Sequence, residues 1–166
     1  MKKSTHIKHK IFSDFTTFEP LLRQWREWNK KIVFTNGCFD LVHRGHAEYL
    51  CAAAEMGDEL VVGLNSDHSV SRLKGPGRPL TDEFSRAWLL ASFEFVSAVI
   101  LFEEETPLRL IESVSPDVLV KGNDYAAPSI VGYDWVLSHG GIVETIPLVP
   151  GWSTSSIIQK IRNIPA

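Results

Sequence analysis

Consecutive apolar positions cluster at Ile32–Thr35, Leu60–Leu64, Ala98–Phe102, Val118–Val120 and Ile142–Ile146, and the stretches between them carry apolar residues at helical spacing. Runs apolar on successive residues belong to strands covered on both faces, the habit of a parallel sheet, and the intervening helices supply the covers. Ahead of them Phe18, Leu21, Leu22, Trp25 and Trp28 recur every three or four positions, which predicts an amphipathic helix packed on the main body. Residues 1 to about 15 carry no period. The pattern therefore predicts an α/β fold: a single doubly wound, parallel, five-stranded sheet with an added N-terminal helix. It divides the chain into an extension over residues 1–30 and a main domain over residues 31–166. One loop is rich in Gly and Pro, KGPGRP at 74–79, between two helical patterns,.

Length and composition narrow the picture. At 166 residues the chain has room for one well-buried core,. Seventeen basic against twenty acidic residues leave a net charge of −3, so the overall field repels nucleic acid, and any anion must be held locally. A hydrophobic content of 44% with 22% charged residues is that of a globular protein, not a disordered one,. Two cysteines, Cys38 and Cys51, are too few for a disulfide framework, which points to a reducing cytoplasm. The basic N-terminus lacks the unbroken apolar stretch of an export signal, because His6, Lys8 and Lys10 interrupt it,. Every apolar run falls short of the roughly 18 residues a membrane span requires. The expectation is a soluble cytoplasmic protein with neither a membrane nor a nucleic-acid partner.

Open parallel sheets bind ligands beyond the carboxyl ends of their strands, where loops lead into helix N-termini that attract anions. Polar residues just after the runs therefore matter most. They are Asn36 to Asp40 with His43 to His46, then Asn65 to Asp67, then Lys121 to Asp124, then Gly151 to Ser156. His43 and His46, three apart at the start of a helix, share one face, and Gly45 between them lets a ligand approach the backbone. Two imidazoles so placed can donate N–H bonds to the oxygens of a triphosphate. Gly-x-x-x-x-Gly-Lys-Ser/Thr is absent, as is Gly-x-Gly-x-x-Gly after the first strand, so neither a P-loop nor a dinucleotide fingerprint accounts for the site.

The stretch T-N-G-C-F-D-L-V-H-R-G-H at 35–46 resembles the signature of the HxGH nucleotidyltransferase superfamily. N-S-D at 65–67, R-L-K-G-P-G-R-P at 72–79, L-V-K-G-N-D-Y at 119–125 and P-L-V-P-G-W-S-T-S at 147–155 are similar to the adenylyltransferase domain of ADP-heptose synthase. That family transfers AMP from ATP to D-glycero-D-manno-heptose 1-phosphate, and a chain without the sugar-kinase half resembles its stand-alone form. The resemblance implies a Rossmann-like nucleotidyltransferase fold, with His43, His46, Lys74 and Arg86 as the catalytic set. It implies nucleotide contacts from Thr35, Asn36, Gly37, Cys38, Phe39, Asp40, Gly45, Lys121, Gly122, Asn123, Asp124, Trp152, Ser153, Thr154 and Ser155. The acceptor falls to Asp40, Asn65, Asp67 and Arg78. It further implies Mg²⁺ carried on the ATP phosphates, and ATP and a sugar 1-phosphate as partners; the aromatics of the N-terminal helix, read as exposed, together with the resemblance point to a homodimer. Leu148 stands where glycerol-3-phosphate cytidylyltransferases carry arginine, which favours the heptose branch.

Other readings fit parts of the same residues. Cys38, His43 and His46 have the chemistry of zinc ligands, although a closed site needs a fourth and no matching pair follows. Either histidine alone reads as a cap or a core residue. Lys74 and Arg78 read equally as solvated charges on a loop, and Ser153 to Ser156 as the N-cap of a final helix over Thr154–Arg162. A polyol-phosphate cytidylyltransferase, an FMN adenylyltransferase, a non-catalytic nucleotide sensor and a zinc-stabilised binding module are the competing functions.

Overall fold

The computed structural model describes residues 3–123 and 127–164. Along the chain lie α1 (Lys3–Lys8), β1 (Ile11–Phe12), α2 (Phe15–Glu27), β2 (Ile32–Gly37), α3 (Arg44–Ala54), β3 (Glu59–Asn65), α4 (Asp67–Lys74), α5 (Glu83–Ala91), β4 (Ala98–Phe102), α6 (Leu108–Val114), β5 (Val118–Gly122), α7 (Tyr133–Ser138), β6 (Ile142–Ile146) and α8 (Thr154–Arg162), with a 3₁₀ turn at Ala127–Ser129. The strands form one parallel sheet in the order β1-β4-β3-β2-β5-β6.

Successive strand residues point to opposite faces, and both faces are buried. Val33, Val62, Leu64, Val99 and Val120 pack beneath Tyr49, Leu50 and Ala53 of α3 and Ala87, Leu90 and Ala91 of α5. Ile32, Phe34, Val61, Ile100 and Leu119 pack beneath Phe18, Leu22 and Trp25 of α2 and Leu110, Ile111 and Val114 of α6. Phe34 is wholly buried at the centre, and its truncation to alanine would cost about 3–5 kcal/mol. The doubly wound parallel architecture expected from the sequence is present, and the five expected strands fall on β2 to β6.

The sheet has six strands rather than five. β1 pairs with β4 at the edge, Ile11 against Val99 and Phe12 against Ile100. A two-residue edge strand is too short to impose a period, so the sequence pattern missed it. Lys10 helps fix it, since Nζ donates to the Phe93 carbonyl at 3.2 Å. Phe18 and Trp25 of α2 are in the core, with Phe18 stacking edge-on against Phe12 and Trp25. The N-terminal extension thus forms one edge and part of the covering layer of the sheet. Trp28, expected to pack, is 59% exposed just beyond α2.

The chain builds outward from β2 through β3 to β4, then crosses back to β5 and β6. The order reverses between β2 and β5, and the crevice at such a reversal is where doubly wound sheets bind ligands. The ends of these two strands are tied together there, with Lys121 Nζ donating to the Asn36 carbonyl at 3.0 Å.

Candidate active site

Between β2 and α3 the chain makes a turn in which two residues other than glycine adopt left-handed backbone angles, Phe39 at φ 46° and Leu41 at φ 52°. Such angles are strained for side-chain-bearing residues and persist only where surroundings impose them. The turn delivers His43 to the N-cap of α3 and His46 one turn on. Their rings stack, with centroids 3.9 Å apart and planes 18° from parallel. Phe39 meets His46 edge-on at 5.3 Å, and Trp152, ahead of α8, lies 6.1 Å from His43. His43 N–H donates weakly to His46 Nδ1 at 3.4 Å, which leaves Nε2 of a neutral His46 as the protonated nitrogen.

Burial depresses the basicity of both rings. His46 falls to about 4, through burial first and the neighbouring His43 second, with Asp40 pulling weakly the other way. His43 is lowered by burial. Both imidazoles are therefore neutral N–H donors near pH 7. Asn36 Oδ1 on this rim is buried without a partner, and an unpaired buried polar atom is costly unless something supplies its hydrogen bond; the His43 ring faces the His46 N–H in the capping box of α3. Gly45 has a geometric reason to be glycine, because a Cβ there would lie 3.0–3.1 Å from His43 ring atoms and 3.1 Å from Trp152 Cβ. It makes room for the His43 ring as much as for any ligand.

Several expected contacts prove to be supports. Thr35 is fully buried, its hydroxyl 2.8 Å from Tyr49 OH, which in turn donates to the Val120 carbonyl at 3.2 Å. The Asp40 carboxylate is 2% exposed and filled by Arg78 Nε at 2.7 Å, the N–H groups of Leu80 and Thr81 and the Thr81 hydroxyl. Burial alone would raise its pKa, but these donors outweigh it and hold the carboxyl below its ordinary value. The expected nucleotide and acceptor contacts of the Asp40 side chain are corrected to a loop anchor, because its oxygens are already taken. Asn65 is likewise buried, donating to Ser69 Oγ at 2.9 Å.

Arg86 requires the largest correction. Expected at the phosphates, it is 0% exposed, with Nε on the Thr81 carbonyl at 3.0 Å, Nη1 on the carbonyls of Cys38 and Asn65 at 2.6 and 2.9 Å, and Nη2 on Asp67 Oδ1 at 2.7 Å. A guanidinium so enclosed does not reach a ligand in the crevice. Asp67 is correspondingly its counter-ion.

The remaining expected residues surround the crevice. Lys74 is exposed at the end of α4, its charge felt by the Cys38 thiol together with those of Arg86 and Arg78, although burial dominates and raises that thiol's pKa. Gly37, Lys121 and Gly122 end β2 and β5. Asn123 bridges to the last strand, its N–H donating to the Ile146 carbonyl at 3.0 Å, and its Oδ1 accepts from Leu148 N–H just beyond that strand at 3.4 Å. Ser153 caps α8, Thr154 Oγ1 donates to the Asp40 carbonyl at 2.7 Å, and Ser155 is exposed. Asp124 lies outside the described residues.

Among the described residues no three His, Cys, Asp or Glu side chains gather as a metal site; Cys38 Sγ faces Asn65 Oδ1 at 4.0 Å and does not close a trio with the histidines. No helix among them is long and apolar enough to cross a membrane. A cleft of about 760 Å³ opens further along the rim, past β4. It takes Ser66 and Arg72 from the segments at 65–67 and 72–79 but neither histidine, and Glu103, Glu104 and Glu105 on its wall oppose a triphosphate.

Sequence reasoning missed Tyr49, Leu80 and Thr81. Nothing in a one-dimensional pattern marks a backbone N–H forty residues away as the partner of Asp40.

A parallel sheet reversing its order at β2 and β5, with a His-x-x-His pair capping the helix after β2, defines a nucleotidyltransferase of the HxGH class. The chain belongs to the cytidylyltransferase-like family, whose model matches residues 34–160. It is 55% identical over 142 residues to the bifunctional protein HldE of Methylobacillus flagellatus, covering 86% of this chain and 29% of that one. It is 54% identical over 145 residues to the HldE of Campylobacter jejuni, covering 87% and 31%. The chain thus spans under a third of the length of these curated relatives. Among solved structures it resembles a lipopolysaccharide core biosynthesis protein from Thermoplasma volcanium, with a TM-score of 0.58, 29% identity, and 72% and 97% of the two chains covered. A pantoate-beta-alanine ligase from Francisella tularensis, at 14% identity and a TM-score of 0.64 over 90% and 72% of the two chains, shares the fold.

Proposed function

We propose that the protein transfers AMP from ATP to D-glycero-D-manno-heptose 1-phosphate, releasing pyrophosphate and forming ADP-heptose. The observation that carries the transfer chemistry is the stacked His43–His46 pair at the sheet's reversal point. The heptose acceptor rests on the five motif segments at 35–46, 65–67, 72–79, 119–125 and 147–155, on HldE relatives at about 55% identity, and on the likeness to the lipopolysaccharide core biosynthesis protein from Thermoplasma volcanium.

In the reaction a phosphate oxygen of the sugar attacks the α-phosphorus of ATP in line. A P–O bond forms there as the bond to pyrophosphate breaks. The attacker is already an anion at pH 7, so no general base is required, and the protein contributes position and charge stabilisation. The N–H groups of His43 and His46 face the charge that builds on the phosphates. Lys74 adds a cation from the end of α4, and the N-terminus of α8 adds its dipole,. Asn36, Lys121, Asn123 and Trp152 border the nucleoside, and Arg78 the acceptor; a nucleoside contact from Asp124 rests on the resemblance alone. The described residues provide no protein cage for Mg²⁺; it is proposed to enter on the ATP phosphates, where it would neutralise charge, as Mg²⁺ commonly does.

A cytoplasmic location rests on cysteine usage. A homodimer rests on the resemblance, because α2 buries Phe18 and Trp25 within the chain's own core and leaves only Trp28 of those aromatics well exposed. The deciding experiment is pyrophosphate release with ATP or CTP against heptose 1-phosphate, glycerol 3-phosphate and FMN. Release with ATP and the heptose supports the proposal. Release with CTP and the polyol phosphate, or with FMN, transfers the site to another enzyme, and nucleotide binding without release marks a sensor.

A further inference from the structure

Arg86 is a full positive charge placed where solvent does not reach it, and its formal counter-ion, Asp67, is itself 41% exposed. Burying a charge in this way is expensive, and an apolar side chain of similar volume would serve stability at least as well. What the guanidinium does that an apolar group would not is hold three backbone carbonyls from three loops, those of Cys38, Asn65 and Thr81. Two of these loops are fastened a second time by the opposite charge. Asp40, two residues beyond Cys38, accepts the N–H groups of Leu80 and Thr81 and the Nε of Arg78. Phe39 lies between the two anchors, with its left-handed φ and its ring against His46.

We propose that Arg86 is a positioning residue of the transfer site: from inside the protein it clamps the Cys38–Asp40 turn to the Thr81 segment, and through Phe39 it holds the His46 ring in its stack with His43. The inference rests on the transferase reading for its kinetic consequence and replaces a direct phosphate contact by Arg86. Rigid support of this kind decides whether donors meet the charge of a transition state, because small displacements in a site lose large factors in rate.

The test compares wild type with Arg86→Lys, which keeps the charge but cannot span three carbonyls, and with Asp67→Asn, which loosens the clamp from its exposed side should the lysine variant fail to fold. In pyrophosphate release by folded protein, kcat is expected to fall about 10- to 100-fold in Arg86→Lys and about 3- to 10-fold in Asp67→Asn, with KM for ATP within about threefold of wild type. In parallel, imidazole NMR of the ligand-free proteins follows His46, whose titration is expected to move from about 4 toward its ordinary value as the ring leaves its buried stack. Unchanged kcat with unchanged His46 titration overturns the proposal. So does a fall in kcat with the His46 titration unmoved, the sign of a contact made directly to the phosphates. Absence of release by wild type would instead defeat the transferase reading, and the NMR comparison would still judge the clamp.

Discussion

The His43 and His46 rings lie stacked, 3.9 Å between centroids, in a turn of chain held open by Gly45. Two imidazolium ions at that distance would repel, and burial already disfavours the charge on each. The free protein therefore presents a neutral pair of N–H donors, and a bound triphosphate supplies the negative charge they answer to.

The first consequence is a pH dependence of stability. His46 titrates near 4 in the folded protein against 6.5 when unfolded, so between these values the unfolded chain binds more protons. Its contribution is fully present above pH 6.5, is lost as pH falls, and is gone below about 4; it amounts to at most about 3 kcal/mol. The lowered basicity of His43 acts in the same direction. Urea unfolding at pH 7, 5.5 and 4.5 should show stability falling toward acid, and His46→Asn should flatten that fall. An equally steep decline in the variant would remove His46 from the account.

Gly45 offers a separation of fold from function. Alanine at this position in α3 gains up to about 1 kcal/mol of helix propensity, yet its Cβ would crowd the His43 ring and Trp152. Gly45→Ala should keep its melting temperature within a few degrees while turnover drops about tenfold or more. Thermal melts beside pyrophosphate release decide it, and normal turnover would show that the His43 position is not critical.

Tyr49 should behave in the opposite way. Its hydroxyl serves buried Thr35 and the Val120 carbonyl beneath the crevice. Tyr49→Phe strands those groups and should cost about 1–3 kcal/mol, read as a lower urea midpoint. A stability equal to wild type would contradict the support assigned to it.

Lys74 is exposed and ends its helix, so Lys74→Ala should leave stability within about 0.5 kcal/mol. Its loss should lower kcat/KM and weaken the salt dependence of that parameter, because an exposed cation steers and neutralises a polyanion through a screened field. Kinetics at two ionic strengths test this; an unaltered salt dependence would return Lys74 to the status of a solvated charge.

Much of this architecture was legible in the sequence, for a physical reason. Strands buried on both faces must be apolar at successive positions, so β2 to β6 announced themselves, and the loops after them followed from the direction of a parallel sheet. β1 was not legible, because two residues at an edge carry no period. Arg86 was misjudged for its charge, although a sign was present: it falls in the buried stripe of α5 with Ala87, Leu90 and Ala91. A charge inside an apolar stripe indicates a brace as readily as a ligand contact. Asp40 gave no such sign, since its partners are backbone N–H groups at Leu80 and Thr81, and every residue but proline has one.

The paired imidazoles are tested most directly by turnover of His46→Ala with ATP and heptose 1-phosphate, measured on protein whose circular dichroism and melting match wild type. Loss of one preorganised donor to developing charge should lower kcat about a hundredfold or more. A folded variant with wild-type kcat would contradict the account.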